Sequence, residues 1–149
     1  MRLPALLSAM ILTVSGVCEA AGPCTTDDAC MAVDARAFSN DDGMQIHDSA
    51  RAVYSEISVF GVDAKDAEEM ILQIDISHPS RGDLEINLVS PEGSRYRLKP
   101  RNAVDRLDDI QGTWVIDASR DNTEGIWKLE MVDHYLGNTG HLNQWSLTF

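Results

Sequence analysis

A chain of 149 residues is too short for two ordinary domains and long enough for one with a real hydrophobic core. Its residues are 44% hydrophobic and 24% charged, the balance of a globular protein, which argues against wholesale disorder and against a multi-span membrane protein. Twelve Lys and Arg against 24 Asp and Glu leave a net charge of −12, which repels phosphate backbones, excludes nucleic acid as a partner and favours cations or basic surfaces.

At the start of the chain, Arg2 precedes an apolar run from Leu3 to Val17, followed by Cys18, Glu19, Ala20, Ala21 and Gly22. Residues 1–20 therefore read as a secretory signal peptide cleaved after Ala20, with small residues Cys18 and Ala20 at the third-last and last positions. The run is too short to cross a bilayer as one helix, so the expected product is extracytoplasmic, secreted or periplasmic, with no membrane attachment once cleaved. Lipidation at Cys18 is the rival reading, and Ser15, Gly16 and Val17 make a poor lipoprotein box. Cleavage leaves Cys24 and Cys30 as an even pair in an oxidising compartment, where a disulfide is expected and thiolate metal binding is the weaker reading. Residues 21–43, rich in Ala, Asp, Ser and Asn and without a sustained period, read as an acidic leader, which places the domain at 44–149.

From Val53 the apolar residues recur every second position, the period of half-buried strands. Val53, Ile57 and Val59 share one face of a first strand, and Met70, Leu72, Ile74 and Ile76 share one face of a second. Leu84, Ile86 and Leu88 line a third, with Glu85 and Asn87 directed outward, and Ser90, Pro91, Glu92 and Gly93 form a turn into a fourth over Arg95 to Lys99. Trp114 and Ile116, then Trp127, Leu129 and Met131, then Trp145, Leu147 and Phe149 mark three more. Strands without a convincing helix predict an all-β fold, an antiparallel β-sandwich. The cysteines precede the strands and cannot bridge two sheets, which counts against an immunoglobulin domain and leaves the jelly-roll type favoured.

Three blocks carry a family likeness: His78-Pro79-Ser80-Arg81-Gly82-Asp83-Leu84-Glu85-Ile86-Asn87-Leu88-Val89-Ser90-Pro91-Glu92-Gly93, the stretch from Gly125 through Trp127 to Asp133, and Asn138-Thr139-Gly140-His141-Leu142-Asn143-Gln144-Trp145. They resemble the P domain, or P/Homo B domain, of subtilisin/kexin-like proprotein convertases. The motif positions are Arg81, Gly82, Asp83, Leu84, Ser90, Pro91, Gly93, Gly125, Trp127, Gly140, Leu142 and Trp145. The resemblance implies a jelly roll of the kind found downstream of a subtilisin-like serine protease domain or, in many bacterial proteins, of other secreted hydrolases. There the module packs on the catalytic domain and supports folding, stability or calcium dependence. The segment between Trp114 and Gly125 is shorter than is usual in the family.

No catalytic role is expected. The chain contains no Gly-x-Ser-x-Gly elbow, the blocks around a subtilisin-like triad are missing, and a sandwich leaves no room for that larger fold. His78, before a proline, reads as a turn histidine bonded to backbone, and His47, His134 and His141 lack metal-ligand spacing. Arg81-Gly82-Asp83 spells an adhesion tripeptide, yet a structural turn held by ion pairing accounts for it. Calcium is the sharper expectation, because a hard cation needs several oxygen ligands and loops at one end of a sandwich can supply them. Asp48, Asp83 and Asp133 are the candidate ligands, against the alternative of ordinary turn-capping aspartates. The expected function is an exported, non-catalytic module that binds or stabilises a secreted hydrolase. The alternative is a free-standing binder of carbohydrate or cell surface, although Trp127 and Trp145 alternate in phase with core residues rather than forming a stacking platform.

Overall fold

Alternation along the chain becomes nine strands in the computed structural model, which describes residues 36–149. They are β1 (Ala37–Asn40), β2 (Met44–Ile46), β3 (Val53–Val59), β4 (Met70–Ser77), β5 (Leu84–Val89), β6 (Arg95–Lys99), β7 (Ile110–Ile116), β8 (Gly125–Asp133) and β9 (Gly140–Thr148). Among the described residues there is no α-helix, only 3-10 turns at Ala64–Ala67 and Arg81–Asp83. The segment read as a signal peptide, its expected cleavage point and the expected Cys24–Cys30 disulfide lie outside the described residues.

All strand pairs are antiparallel, and their order is that of one long hairpin. The β1 and β2 strands pair with β9, β3 with β8, β4 with β7, and β5 with β6. Winding this hairpin on itself adds β4 beside β9 and β5 beside β8, which closes a first sheet of β1/β2-β9-β4-β7 and a second of β3-β8-β5-β6. Two antiparallel sheets built from a rolled hairpin are a jelly roll, the architecture expected from the strand pattern.

The inward face of each strand is the one that the period of two selects. Met70, Leu72 and Ile76 of β4, Leu84, Ile86 and Leu88 of β5, and Trp127, Leu129 and Met131 of β8 are all fully buried. In β3 the inward row includes Ser55, whose hydroxyl accepts the Trp145 indole N–H at 2.9 Å, so a polar residue stands in the core because it satisfies a buried donor. Trp114 is half-buried at the sheet edge and donates to the Leu98 carbonyl at 3.1 Å, tying β7 to β6 across the two sheets.

One boundary moves. Strand β1 lies within the stretch read as leader, so the sandwich includes residues from Ala37 onward rather than from 44. Four residues with one large apolar side chain cannot show a period. What holds them is tertiary: Phe38 meets Phe60 and Phe149 edge-on at 5.4 and 6.0 Å, and Arg36 and Phe149 exchange backbone hydrogen bonds.

Candidate functional site

The loops β4–β5, β6–β7 and β8–β9 and the β2–β3 connection gather at one end of the sandwich, because antiparallel strands bring alternate connections to the same edge. The end is organised around His78, immediately after β4. Its backbone N–H donates to Asp109 Oδ1 and its carbonyl accepts from the Asp109 N–H, both at 2.9 Å. The ring is buried: Nδ1 accepts from the Ser80 N–H at 3.0 Å, and Nε2 lies 3.2 Å from Asp133 Oδ2. An Nδ1 that accepts carries no proton, so the neutral ring holds its hydrogen on Nε2 and donates it to Asp133. With both nitrogens engaged, this carboxylate–imidazole pair offers no free base to a nucleophile. A Cβ on Gly140 would stand 2.5 Å from the ring carbon Cδ2, so the motif glycine is the floor on which the imidazole rests.

Arg81, Gly82 and Asp83 form a 3-10 turn set into the protein. A Cβ on Gly82 would lie 2.0 Å from the Asp105 carbonyl oxygen, and the Gly82 carbonyl accepts the Asn102 N–H at 2.8 Å. Arg81 Nε bonds both carboxylate oxygens of Asp105, at 3.2 and 3.0 Å. Desolvation pushes the Asp105 carboxyl up, but Arg81 and the Leu107 N–H outweigh it and hold the group below its ordinary value. Lys99 Nζ donates to the carbonyls of Arg81 and Leu84, and burial lowers its pKa. The tripeptide is thus a clamp on the β6–β7 loop rather than a protruding adhesion loop.

Asp48, Asp83 and Asp133 all reach this end but do not share a centre. Asp133 uses Oδ2 on His78 and accepts the Tyr135 N–H on Oδ1 at 3.2 Å. Asp83 borders a cavity of about 420 Å³ with Ser80, Arg106, Tyr135 and Asn138. Asp48 accepts the Gly137 N–H on Oδ2 at 2.6 Å, while its Oδ1 is buried without a partner. Among the described residues no three His, Cys, Asp or Glu side chains stand close enough to hold one ion. The three carboxylates are therefore not gathered into one donor set: Asp133 is engaged by His78 and Tyr135, Asp83 borders the cavity, and Asp48 keeps one buried oxygen without a partner.

The sequence reading missed the apolar character of the loop tips. Val104, Leu107, Tyr135 and Leu136 are 85%, 60%, 40% and 84% exposed. Val104 and Leu107 belong to the β6–β7 loop, and Tyr135 and Leu136 to the β8–β9 loop. The Arg101 guanidinium lies 5.0 Å over the Tyr135 ring and joins the two loops, with Arg106 beside Tyr135 in the cavity lining. The signal that could have found this patch is large apolar residues inside segments with no strand period, where no core can account for them.

At the opposite end the remaining motif residues serve the chain's turns. Pro91, Glu92 and Gly93 form a three-residue hairpin loop closed by the Ser90 N–H on the Ser94 carbonyl, with the Gly93 N–H bonded to the Ser90 carbonyl and Gly93 at φ +92°. Gly125, at φ +132°, lies where a Cβ would meet Pro91 at 2.8 Å. Leu84, Trp127, Leu142 and Trp145 are core.

Residues 67–149 match the family described as the proprotein convertase P-domain. The transglutaminase-activating metalloprotease of Streptomyces mobaraensis is 38% identical over 112 residues, covering 75% of this chain and 15% of that protein. Leupeptin-inactivating enzyme 1 of Streptomyces exfoliatus is 33% identical over 115 residues, 76% of this chain and 26% of that one. Proprotein convertase subtilisin/kexin type 6 of Rattus norvegicus is 33% identical over 88 residues, 54% of this chain and 9% of its own length. The chain therefore spans between 9% and 26% of the length of these relatives.

Proposed function

The chain belongs to the proprotein convertase P-domain family, and on that premise we propose that it is an exported, non-catalytic module that docks on and stabilises a secreted hydrolase, a subtilisin-like serine protease foremost. The observation that carries this reading is the set of exposed apolar residues Val104, Leu107, Tyr135 and Leu136 on two loops that Arg101 joins over the Tyr135 ring, with Arg106 beside Tyr135. Exposed apolar anchors beside arginine and tyrosine are the composition of a protein interface. A patch with arginines at its margin, on a chain of net charge −12, selects a partner surface that is apolar with acidic edges. The relatives named as proteases support a hydrolase as that partner, and the apolar run from Leu3 to Val17 supports export.

Cross-linking the full chain in its native secretome, with sites mapped by mass spectrometry, tests the reading. A hydrolase joined through residues 100–109 and 134–138, and lost with Val104→Asp plus Leu136→Asp at unchanged melting temperature, is the expected result. Cross-links to a hydrolase that ignore the double variant, or no hydrolase at all, would overturn it. Purified chain should leave peptide substrates uncleaved.

A further inference from the structure

The two outer faces of the sandwich are built differently. On the second sheet the outward side chains satisfy one another: Glu130 accepts from Tyr54, Asn87 and Arg95 at 2.9 to 3.1 Å, Lys128 meets Glu56 at 2.9 Å, and His134 meets Glu85 at 3.0 Å. The polar groups of that face are largely committed to one another. On the first sheet the registers place Ser146, Gln73 and Thr113 in one row and Gln144, Asp75 and Gln111 in the next. These rows line a groove of about 540 Å³. Apart from Asp75, which accepts from Asn143 at 3.1 Å, none of them has its side chain bonded to another described side chain.

We propose that this groove binds an uncharged oligosaccharide. Among the described residues its lining contains Asp41 and Asp75 and no Lys or Arg, so an anionic ligand meets repulsion and no counter-charge there. What the lining presents is carboxamides and hydroxyls, each able to donate and accept at once, which matches the paired donor and acceptor of neighbouring sugar hydroxyls. Ile71 and Val115, opposite each other in register and both exposed, extend the groove at one end; they give the C–H face of a sugar ring an apolar surface, since a pyranose is polar at its rim and apolar on its faces. Strands spaced about 4.8 Å apart make the four-strand face about 14 Å wide, and rows repeat about every 6.8 Å along it, dimensions suited to a short chain of linked rings. A folded protein partner would need apolar anchors in the middle of the face, where the side chains are amides and hydroxyls. The groove lies on a sheet face and the docking patch on the loops, so the two proposals stand or fall separately.

The test is amide shift mapping on the isotope-labelled full chain with cellohexaose, N-acetylated chitohexaose and xylohexaose at millimolar concentration. Heparin hexasaccharide and chitosan hexamer serve as anionic and cationic controls. At least one neutral sugar should move the amides of β4, β7 and β9, and Gln73→Ala with Gln111→Ala should weaken it about tenfold or more while the melting temperature stays put. Val104→Asp should leave sugar binding unchanged. The proposal is overturned if no neutral sugar perturbs these strands, if the shifts map to another surface, or if either charged control binds as well as the neutral chains.

Discussion

An imidazole buried with both nitrogens bonded leaves its neighbours no freedom to grow. Gly140 shows this, since a Cβ there would press on His78 at 2.5 Å and the ring cannot turn away without losing Ser80 or Asp133. Gly140→Ala should therefore cost about 1–3 kcal/mol, the range for overpacking. The same change in a His78→Ala background should cost much less, a coupling that a double-mutant cycle in denaturant unfolding reads directly. Asp48 poses the opposite situation: its Oδ1 is buried and unpartnered while Oδ2 holds the Gly137 N–H. Asp48→Asn keeps an oxygen for Gly137 and removes a charge that has no ion-pair partner among the described residues, so melting in chelator should be unchanged or slightly higher. A calcium-dependent rise in the wild type that this variant abolishes would instead identify Oδ1 as a metal ligand.

Among the elements, those that bury one face against the other sheet were legible and those held only by their neighbours were not. β4 reads Met70-Ile71-Leu72-Gln73-Ile74-Asp75-Ile76, and its alternation alone assigns the inward set. β1 and β2 have four and three residues, too few for a period, and they exist because β9 offers them an edge. The turn residues Ser90, Pro91 and Gly93 were legible because glycine and proline act locally; Gly125 was legible only as a motif position, and its close approach to the distant Pro91 was not. The converging of His78 with Asp133, 55 positions apart, was not, since no local rule pairs them. Register gives the elements a direct check. Trp127 is fully buried on β8, with its indole N–H donating to the Thr123 carbonyl at 2.8 Å, while Lys128 faces out toward Glu56. Trp127→Ala should cost about 3–5 kcal/mol, and Lys128→Ala no more than about 1 kcal/mol, the upper range of an exposed ion pair. Equal losses would mean that the two faces of β8 were exchanged.

At the scale of the whole molecule, two electrostatic effects act in opposite directions as the pH falls. A net charge of −12 repels itself in the compact state, and protonation relieves that repulsion on the way to the sequence pI of ≈ 4.5. Specific carboxylates oppose this at lower pH. Desolvation raises the Asp121 carboxyl, but the hydroxyls of Ser94, Tyr96 and Ser90 more than compensate and hold it below its ordinary value. Glu85 is lowered first by the Asn87 amide, and Asp117 first by the Ser119 hydroxyl. A carboxyl whose folded pKa lies below its unfolded one contributes stability that is fully present above the unfolded value, about 3.9 for Asp and 4.3 for Glu. That stability is lost as the pH drops through the folded pKa. The melting temperature should therefore hold or rise from neutrality down to about pH 5, then fall below about pH 4, where the unfolded chain binds the extra protons. Added salt should flatten the upper limb, which rests on long-range repulsion between exposed charges, and leave the acid limb in place. Asp121→Asn should shallow the acid limb alone; an acid limb that salt removes and Asp121→Asn does not touch would show that net charge, and not these hydrogen-bonded carboxylates, sets the acid limit of the fold.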